Sequence, residues 1–140
     1  MKIMVSAFLL GENCKYDGGN NKDDRIAALA EDHELIPVCP EVMGGLPIPR
    51  IPSEIRDGAV INREGRSVDT EFRSGAQKCL EIAMKERPDL VILKSRSPSC
   101  GVCQHYDGTF TGQLTEGPGI TADLLIRNGF QVVDAEKYDS

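Results

Sequence analysis

Short apolar runs alternate with longer amphipathic segments along this chain. We predict strands at residues 2–9, 35–38, 90–93 and 131–133, which are short and rich in Ile, Leu and Val. Near-continuous apolar strands are typical of sheets that are buried on both faces. The strands are therefore predicted to form a parallel sheet inside the domain.

Helical periodicity appears in the segments between these strands. Asp23 or Asp24 can cap a first helix, which has a short inward-facing stripe. The stripe consists of Ile26, Leu29 and Ala30. A last helix is predicted at residues 120–127, because Gly129 follows it in the position that commonly ends a helix.

The strongest helical signal lies before the third strand. Asp69 is predicted to cap this helix, and Pro88 follows its end. Its apolar positions recur at helical spacing, which places them on one face. They are Phe72, Ala76, Cys79, Leu80, Ala83 and Met84. We predict that this face packs inward.

The remaining segments are predicted to be loops, apart from one small hairpin. Several prolines and the pair Gly44-Gly45 lie within residues 40–52, which predicts an extended loop poor in hydrogen bonds. Strands at 59–62 and 66–68 form the predicted hairpin. Residues 94–113, dense in Ser, Cys and Gly, are predicted to be a long loop.

The alternation of strands and helices indicates the fold class. Apolar parallel strands need helices on both faces of their sheet. The chain has 140 residues, the length of one domain. We predict an α/β protein with a single three-layer α/β/α domain over residues 1–140. Its sheet is expected to be mostly parallel and Rossmann-like or flavodoxin-like, with a small β-hairpin insertion.

Charge and hydropathy exclude two classes of partner. The chain has 16 basic and 22 acidic residues, a net charge of −6, and no run of Lys or Arg. Such a balance repels phosphate backbones, so we expect no nucleic-acid partner. The apolar runs are far shorter than the ~20 residues that cross a bilayer, so we expect no membrane partner.

The N-terminal apolar run, residues 3–10, lacks the small-residue cleavage pattern of a signal peptide. We predict it to be a strand and the protein to be cytoplasmic. The five cysteines are then expected to be reduced thiols rather than disulfides.

Three cysteines follow three predicted strands. Cys14 lies in the loop after the first strand, Cys39 ends the second, and Cys100 lies in the loop after the third. Ligands bind at the carboxyl ends of strands in open parallel sheets, so these thiols are predicted to meet at one edge. Thiolates favour Zn, Cu(I) and iron–sulfur clusters. A 4Fe-4S cluster held by three cysteines leaves one iron open to a substrate.

Other interpretations of the cysteines stay open at this point. Free cysteine is among the most buried residue types, so the three thiols could be independent core residues. Cys79 lies on the apolar helix face and is predicted to be core. Cys103, at a two-residue spacing from Cys100, is either a spare ligand or a resolving thiol.

Six motifs, spread in matching order over nearly the whole chain, carry a resemblance to a known family. They are Val5-Ser6-Ala7-Phe8-Leu9-Leu10-Gly11, Cys14-Lys15-Tyr16-Asp17-Gly18, Pro37-Val38-Cys39-Pro40-Glu41, Gly44-Gly45-Leu46-Pro47-Ile48-Pro49-Arg50, Ser97-Pro98-Ser99-Cys100-Gly101 and Tyr106-Asp107-Gly108-Thr109-Phe110. With them the chain closely resembles the thiouracil desulfurase family. The resemblance implies an enzyme that takes sulfur from a thiolated uracil at a 4Fe-4S cluster, without net redox change.

The resemblance also implies site residues. The implied cluster ligands are Cys14, Cys39 and Cys100. The family's essential carboxylate and hydroxyl map onto Glu41 and Ser97. Many members have cysteine where this chain has Phe8, and if that thiol is a ligand, the cluster here needs Cys103 instead. We assign Cys14, because Phe8 belongs to the predicted apolar strand.

Each of these side chains has a possible chemical role. Glu41, two residues after a ligand, is placed to move protons between water, a ring nitrogen and sulfur. Ser97 can hydrogen-bond the ring or relay a proton. Arg50 can hold an anionic oxygen or phosphate, and Ser99 is a further candidate for substrate binding. The structural alternatives are a surface acid, a loop-capping hydroxyl and an ion-paired arginine.

Two functions from other classes are kept as alternatives. Cys100 and Cys103 could form a thiol–disulfide redox pair, or the protein could be a cluster- or metal-binding sensor without turnover. The cluster can be absent, or replaced by zinc, after aerobic preparation. The preferred hypothesis is an iron–sulfur desulfurase that acts on a small thiolated uracil-type molecule.

Overall fold

The structure is a computed structural model that describes residues 1–94, 97–102 and 104–138. Its strands are β1 (Lys2–Ser6), β2 (Glu34–Val38), β3 (Ser53–Arg56), β4 (Ala59–Asn62), β5 (Leu90–Leu93), β6 (Gln104–Tyr106), β7 (Leu114–Glu116) and β8 (Val132–Asp134). Its α-helices are α1 (Asp24–Ala27), α2 (Pro40–Met43), α3 (Asp69–Glu86) and α4 (Ile120–Arg127). Short 3₁₀ helices cover Ala7–Leu10, Ala28–Glu31 and Ala135–Lys137.

The central sheet is parallel, as predicted. Its strand order is β2-β1-β5-β8, and each neighbouring pair runs in the same direction. Counted along the chain, these four strands have the order 2-1-3-4, as in flavodoxin-like sheets. β1 and β5 are neighbours in the sheet, but the chain goes from β1 to β2 on one side and from β5 to β8 on the other. Such sheets bind ligands at the point where two neighbouring connections diverge in this way.

Two apolar layers cover the sheet, because successive side chains of a strand point to opposite faces. Met4 of β1 and Val91 of β5 pack with Cys79 of α3 and Leu125 of α4. The residues next to them along β1 and β5 face the other side of the sheet, where they pack with Ile26 of α1 and the short 3₁₀ helices. The predicted three-layer α/β/α arrangement is confirmed, although one outer layer is made of short helices.

Two antiparallel hairpins lie beside the sheet. β3 pairs with β4, from Ser53 opposite Asn62 to Arg56 opposite Ala59. β6 lies within residues 94–113, which were predicted to be one long loop, and it pairs with β7, which directly follows them. The predicted hairpin of residues 59–62 and 66–68 is present as a short antiparallel pairing, in which the Val68 N–H donates to the Val60 carbonyl and a bridge joins Ile61 to Ser67. The longer partner of β4 is β3, which the sequence analysis did not predict.

Three further local predictions are wrong. β1 ends at Ser6 rather than at residue 9, and Ala7–Leu10 is a 3₁₀ helix closed by Gly11 at φ 96°. Residues 40–43 form α2 instead of an extended loop. Proline is tolerated at the first helical position, because the N–H that it lacks would have no acceptor within the helix. Asp69 does not cap α3; its Oδ1 accepts from the Val60 N–H and its Oδ2 pairs with Arg73.

One face of α3 is apolar as predicted, with Phe72, Ala76, Cys79 and Ala83 buried, but Met84 is exposed. Within the described part of the chain, no helix has the length and apolar character needed to cross a membrane.

Candidate functional site

A cavity of about 480 Å³ lies at the carboxyl edge of the sheet. Cys14, Cys39 and Cys100 all line it, so the structure brings together the three thiols that the sequence places after three strands. Glu41 and Ser97 line the same cavity. Its volume is typical of small-molecule sites.

Cys14 and Cys39 are in direct contact. The Cys39 Sγ lies 3.7 Å from the Cys14 carbonyl oxygen. A hydrogen bond between the two thiols raises the pKa of Cys14 well above its ordinary value, and burial raises it further. The same bond lowers the pKa of Cys39 to about 7, so Cys39 is the readier thiolate of the pair.

Cys39 and Glu41 are positioned by a close helix crossing. Cys39 directly precedes α2, and Glu41 lies in its first turn. α2 packs on α3 at two glycines: a Cβ on Gly44 would lie 1.9 Å from the Glu71 carbonyl oxygen, and a Cβ on Gly75 would lie 1.8 Å from that of Pro40. Only glycine permits this approach, so the two glycines fix where α2 carries its thiol and carboxylate.

The Cys100 loop, residues 97–101, is docked on the N-terminus of α4. The Ile120 N–H donates to the Pro98 carbonyl at 2.8 Å, and the Thr121 N–H donates to the Ser99 carbonyl at 2.9 Å. The first N–H groups of a helix have no acceptor within the helix, and these two carbonyls accept hydrogen bonds from them. A Cβ on Gly119 would lie 2.6 Å from the Pro98 oxygen, so this residue must also be small.

Cys100 is 4% exposed, and burial raises the pKa of its thiol well above the ordinary value. A hydrogen bond with the Ser6 side chain acts in the opposite direction. The Ser6 Oγ also accepts from the Lys94 N–H at 3.1 Å, which ties the ends of β1 and β5 to the Cys100 sulfur. A buried thiol of this kind stays protonated until a cation replaces the proton.

Glu41 is held by Arg50. Nε and Nη2 of Arg50 each lie 2.7 Å from Glu41 Oε2. The Arg50 side chain is 7% exposed and the Glu41 side chain is 17% exposed. Nη2 also donates to the Cys14 carbonyl at 3.0 Å. Arg50 therefore orients the carboxylate and joins it to the Cys14 loop. This ion pair is the structural alternative that the sequence analysis gave for Arg50.

Ser97 joins the carboxylate to the Cys100 loop. Its Oγ accepts from the N–H groups of Ser99 and Cys100, at 3.0 and 3.1 Å. A hydroxyl has two acceptor positions and one proton, so the proton is left for Glu41 Oε1, 3.5 Å away. Ser97 thus shapes the turn that carries Cys100 and points its donor at the second carboxylate oxygen.

Ser99 and Cys79 lie away from the cavity. The Ser99 hydroxyl is buried and lies 2.7 Å from the Thr121 hydroxyl, so it pins the loop to α4 and does not support the expected substrate contact. Cys79 is a core residue, as predicted, and burial raises its pKa to about 12.

Phe8 differs from its expected place. It belongs to the 3₁₀ helix Ala7–Leu10 rather than to β1, and its side chain lines the cavity. The strand argument for assigning Cys14 is therefore wrong, but Cys14 itself lines the cavity beside Cys39. Cys103, the alternative ligand and possible redox partner, lies outside the described residues.

Two positioning features were missed by the sequence analysis. Gly75 interrupts a strong helical pattern, and an isolated glycine there signals a close packing contact. Glu54, 8% exposed, lines the cavity from β3 and holds the segment that contains Phe110. No local pattern in the sequence identifies Glu54, because its partners lie more than fifty residues away.

The donor set suits a cluster better than a single ion. In residues 1–94, 97–102 and 104–138, no three His, Cys, Asp or Glu side chains are grouped closely enough to hold one metal ion. The three thiols instead surround a shared cavity from three loops. Soft donors around a cavity fit an iron–sulfur cluster.

Comparison with known proteins supports the resemblance of the motifs. A family model for 2-thiouracil desulfurase matches residues 3–137. The chain is 36% identical to the protein YbbK of Bacillus subtilis (strain 168), over 98% of this chain and 97% of that protein. It also matches the solved structure of a 4Fe-4S-dependent thiouracil desulfidase, TudS, with a TM-score of 0.92 and 38% identity, covering 97% of this chain and 91% of that one. The chain belongs to the 2-thiouracil desulfurase family.

Proposed function

We propose that this protein is a 4Fe-4S-dependent desulfurase that converts a small thiolated uracil and water into the corresponding uracil and hydrogen sulfide. The observation that carries the proposal is the cavity that three thiols share with Glu41 and Ser97, in a chain of this family. The predicted activity and cofactor are confirmed by the family match and by the solved relative. Residues 1–140 act as one such domain.

Three cysteines would hold the cluster. Cys14, Cys39 and Cys100 are its ligands, one from each loop that follows β1, β2 and β5. When bound, the cluster supplies a Lewis-acidic iron without a protein ligand, which polarises the carbon–sulfur bond of the substrate. The protein side chains then manage the protons of the added water.

Glu41 is the acid–base residue of this proposal. Arg50 occupies its Oε2, which leaves Oε1 as the oxygen that exchanges protons. Oε1 takes one proton from water as the water oxygen bonds to the ring carbon, and it gives that proton to the sulfur as the carbon–sulfur bond breaks. The remaining hydroxyl proton leaves to solvent as the carbonyl forms, so hydrosulfide and one proton are released, which together are hydrogen sulfide. Ser97 steadies Oε1 with its hydroxyl proton, since its two acceptor positions are filled by backbone N–H groups.

The substrate is a small molecule, and the protein works in the cytoplasm. The cavity has the volume of a small-molecule site, and an acidic chain of net charge −6 is poorly suited to a nucleic-acid substrate. The described cysteines Cys14, Cys39, Cys79 and Cys100 are all free thiols, as a reducing compartment would keep them.

A redox function based on Cys100 has little support. Reactive thiols are partly exposed and have a lowered pKa, whereas Cys100 is buried and its pKa is raised. Insulin reduction, measured on the reduced protein, would separate such an activity from desulfuration.

Anaerobic reconstitution with iron and sulfide, followed by addition of 2-thiouracil and 4-thiouracil, tests the proposal. Uracil and sulfide should appear together, in equal amounts and over many turnovers. A sample loaded with its cluster but without turnover would instead identify a sensor. A zinc-loaded sample serves as the matched control and should release neither product.

A further inference from the structure

The motif Tyr106-Asp107-Gly108-Thr109-Phe110 has no role in the chemistry proposed above. It begins at the end of β6, and its Tyr106 and Phe110 line the cavity. Phe110 lines the cavity with its backbone at φ 57°, a region that bulky residues rarely adopt. Strained backbone of this kind persists only where surrounding contacts hold it, and it often marks a binding site.

Glu54 holds this segment in place. Its Oε1 accepts from the Gly108 N–H at 3.0 Å and from the Phe110 N–H at 3.1 Å. Arg56, two residues along β3, donates from Nε to the Gly108 carbonyl at 2.9 Å, and its Nη2 contacts the same oxygen. A Cβ on Gly108 would lie 2.7 Å from the Ile55 carbonyl oxygen. The segment is therefore clamped to β3 with Phe110 over the cavity.

The second oxygen of Glu54 is left for a ligand. Glu54 lines the cavity, yet its Oε2 accepts no hydrogen bond from any residue that the structure describes, and it is not sealed from solvent. An almost buried carboxylate with one oxygen saturated and one unpaired can accept from an N–H donor that enters the cavity. A pyrimidine such as uracil has two ring N–H groups.

The ring of Phe110 contacts Arg63, a second residue that lines the cavity. The Arg63 guanidinium lies 5.9 Å from its centroid, within the range of a cation–π contact. This contact holds the ring at the cavity wall. A flat aromatic surface beside an acceptor oxygen is the arrangement that binds a planar heterocycle carrying N–H groups.

We propose that Phe110 and Glu54 form the ring-binding side of this site: Phe110 stacks on the pyrimidine, and Glu54 Oε2 accepts a hydrogen bond from a ring N–H. This inference rests on the proposed function and assigns its substrate-binding residues to the hairpin side, the part of the cavity lining that comes from β3 and the segment after β6. Both residues bind substrate and product alike, and neither takes part in bond breaking.

The first test compares Phe110→Leu with Phe130→Leu in cluster-loaded enzyme. Base–aromatic stacking contributes enough that its loss should raise KM for 2-thiouracil, and the inhibition constant of uracil, by roughly 10-fold. The value of kcat should not change, because stacking acts equally in ground and transition states. Phe130 packs against the core on α4's side of the sheet and controls for lost stability. An unchanged KM in Phe110→Leu would overturn the stacking role.

The second test pairs Glu54→Gln with N-methylated thiouracils. The amide oxygen of Gln can still accept from Gly108 and Phe110, but its NH₂ replaces the acceptor for the ring N–H. Wild type should bind one N-methyl isomer at least about 10-fold more weakly than thiouracil, and Glu54→Gln should lose that discrimination. Equal discrimination in both proteins would overturn the hydrogen bond. Iron content and melting temperature of both variants show that the cluster and fold are retained.

These outcomes are distinguishable from failure of the proposed function. If wild type, loaded with its cluster, releases no uracil or sulfide, the enzymatic proposal fails and the ring-binding proposal fails with it. If wild type turns over and the two variants keep its KM and its discrimination, only the ring-binding proposal fails.

Discussion

The two sides of the cavity are built in different ways. The cysteine side, with Cys39 and Glu41 at the N-terminus of α2 and Cys100 on its loop, is fixed by main-chain contacts to α3 and α4. The hairpin side is held mainly by two side chains of β3, Glu54 and Arg56, on one short segment. The position of the cysteine side is set by the topology of the fold, whereas the hairpin side can be changed by substitution of a few residues. We expect cluster and chemistry to depend on the cysteine side, and selectivity on the hairpin side.

The largest effect is expected for Gly75→Ala. In an open helix this change is favourable by about 1 kcal/mol, but here the new Cβ would lie 1.8 Å from the Pro40 carbonyl oxygen. We expect a net loss of at least ~3 kcal/mol in the free energy of unfolding, or failure to fold, because backbone must move.

Chemical denaturation and iron content measure this outcome. Gln77→Ala, at an exposed position of the same helix, is the matched control and should stay within about 0.5 kcal/mol of wild type. A stabilised Gly75→Ala protein would show that α2 is not fixed by the glycine crossing.

Substitution of a cavity thiol comes next. Cys100→Ser should remove the cluster and its absorbance near ~400 nm, because serine oxygen is a poor ligand for iron in such a cluster. Cys79→Ala, a buried cysteine outside the cavity, should keep the cluster at a stability cost of about 1 kcal/mol. Equal iron loss in both would mean that the absorbance reports on folding alone.

A smaller effect is expected for Glu41→Gln, which keeps the shape of the side chain but not its basicity. The value of kcat should fall roughly 10²- to 10⁴-fold with the cluster retained, as for loss of a general acid–base residue. Glu81→Gln, on the exposed face of α3, is the control. Equal turnover by Glu41→Gln and wild type would refute the acid–base role.

The smallest effect on activity is expected for Ser99→Ala. Its hydroxyl partners only Thr121 among the described residues, so the change should cost about 1–3 kcal/mol of stability by leaving that hydroxyl unpaired. KM and kcat should be unchanged at a temperature well below unfolding. A raised KM for thiouracil would restore Ser99 as a substrate-binding residue.

Part of the fold could be predicted from local pattern alone. The strands at β1, β2 and β5 are apolar on both faces, and α3 repeats its buried residues at helical spacing. The apolar run continues beyond Ser6 without a break, so the change from strand to 3₁₀ helix had no signal before Gly11. α2 was missed because its proline suggested a loop, although proline suits the first helical turn.

The site could be predicted only in outline. The rule that parallel sheets bind ligands at their carboxyl edge located the three thiols. It could not show that Arg50 would pair with Glu41, that Ser99 would point into the α4 interface, or that Glu54 would face the cavity. Those contacts join segments far apart in the chain, and they depend on packing that no local pattern encodes.

Iron and acid-labile sulfide per chain, measured on Cys14→Ser and Cys103→Ser after parallel anaerobic reconstitution, test the ligand set most directly. If Cys14, Cys39 and Cys100 hold the cluster, Cys103→Ser should keep about four iron atoms per chain and Cys14→Ser should lose them. The reverse result, with iron kept by Cys14→Ser and lost by Cys103→Ser, would contradict the assignment of Cys14.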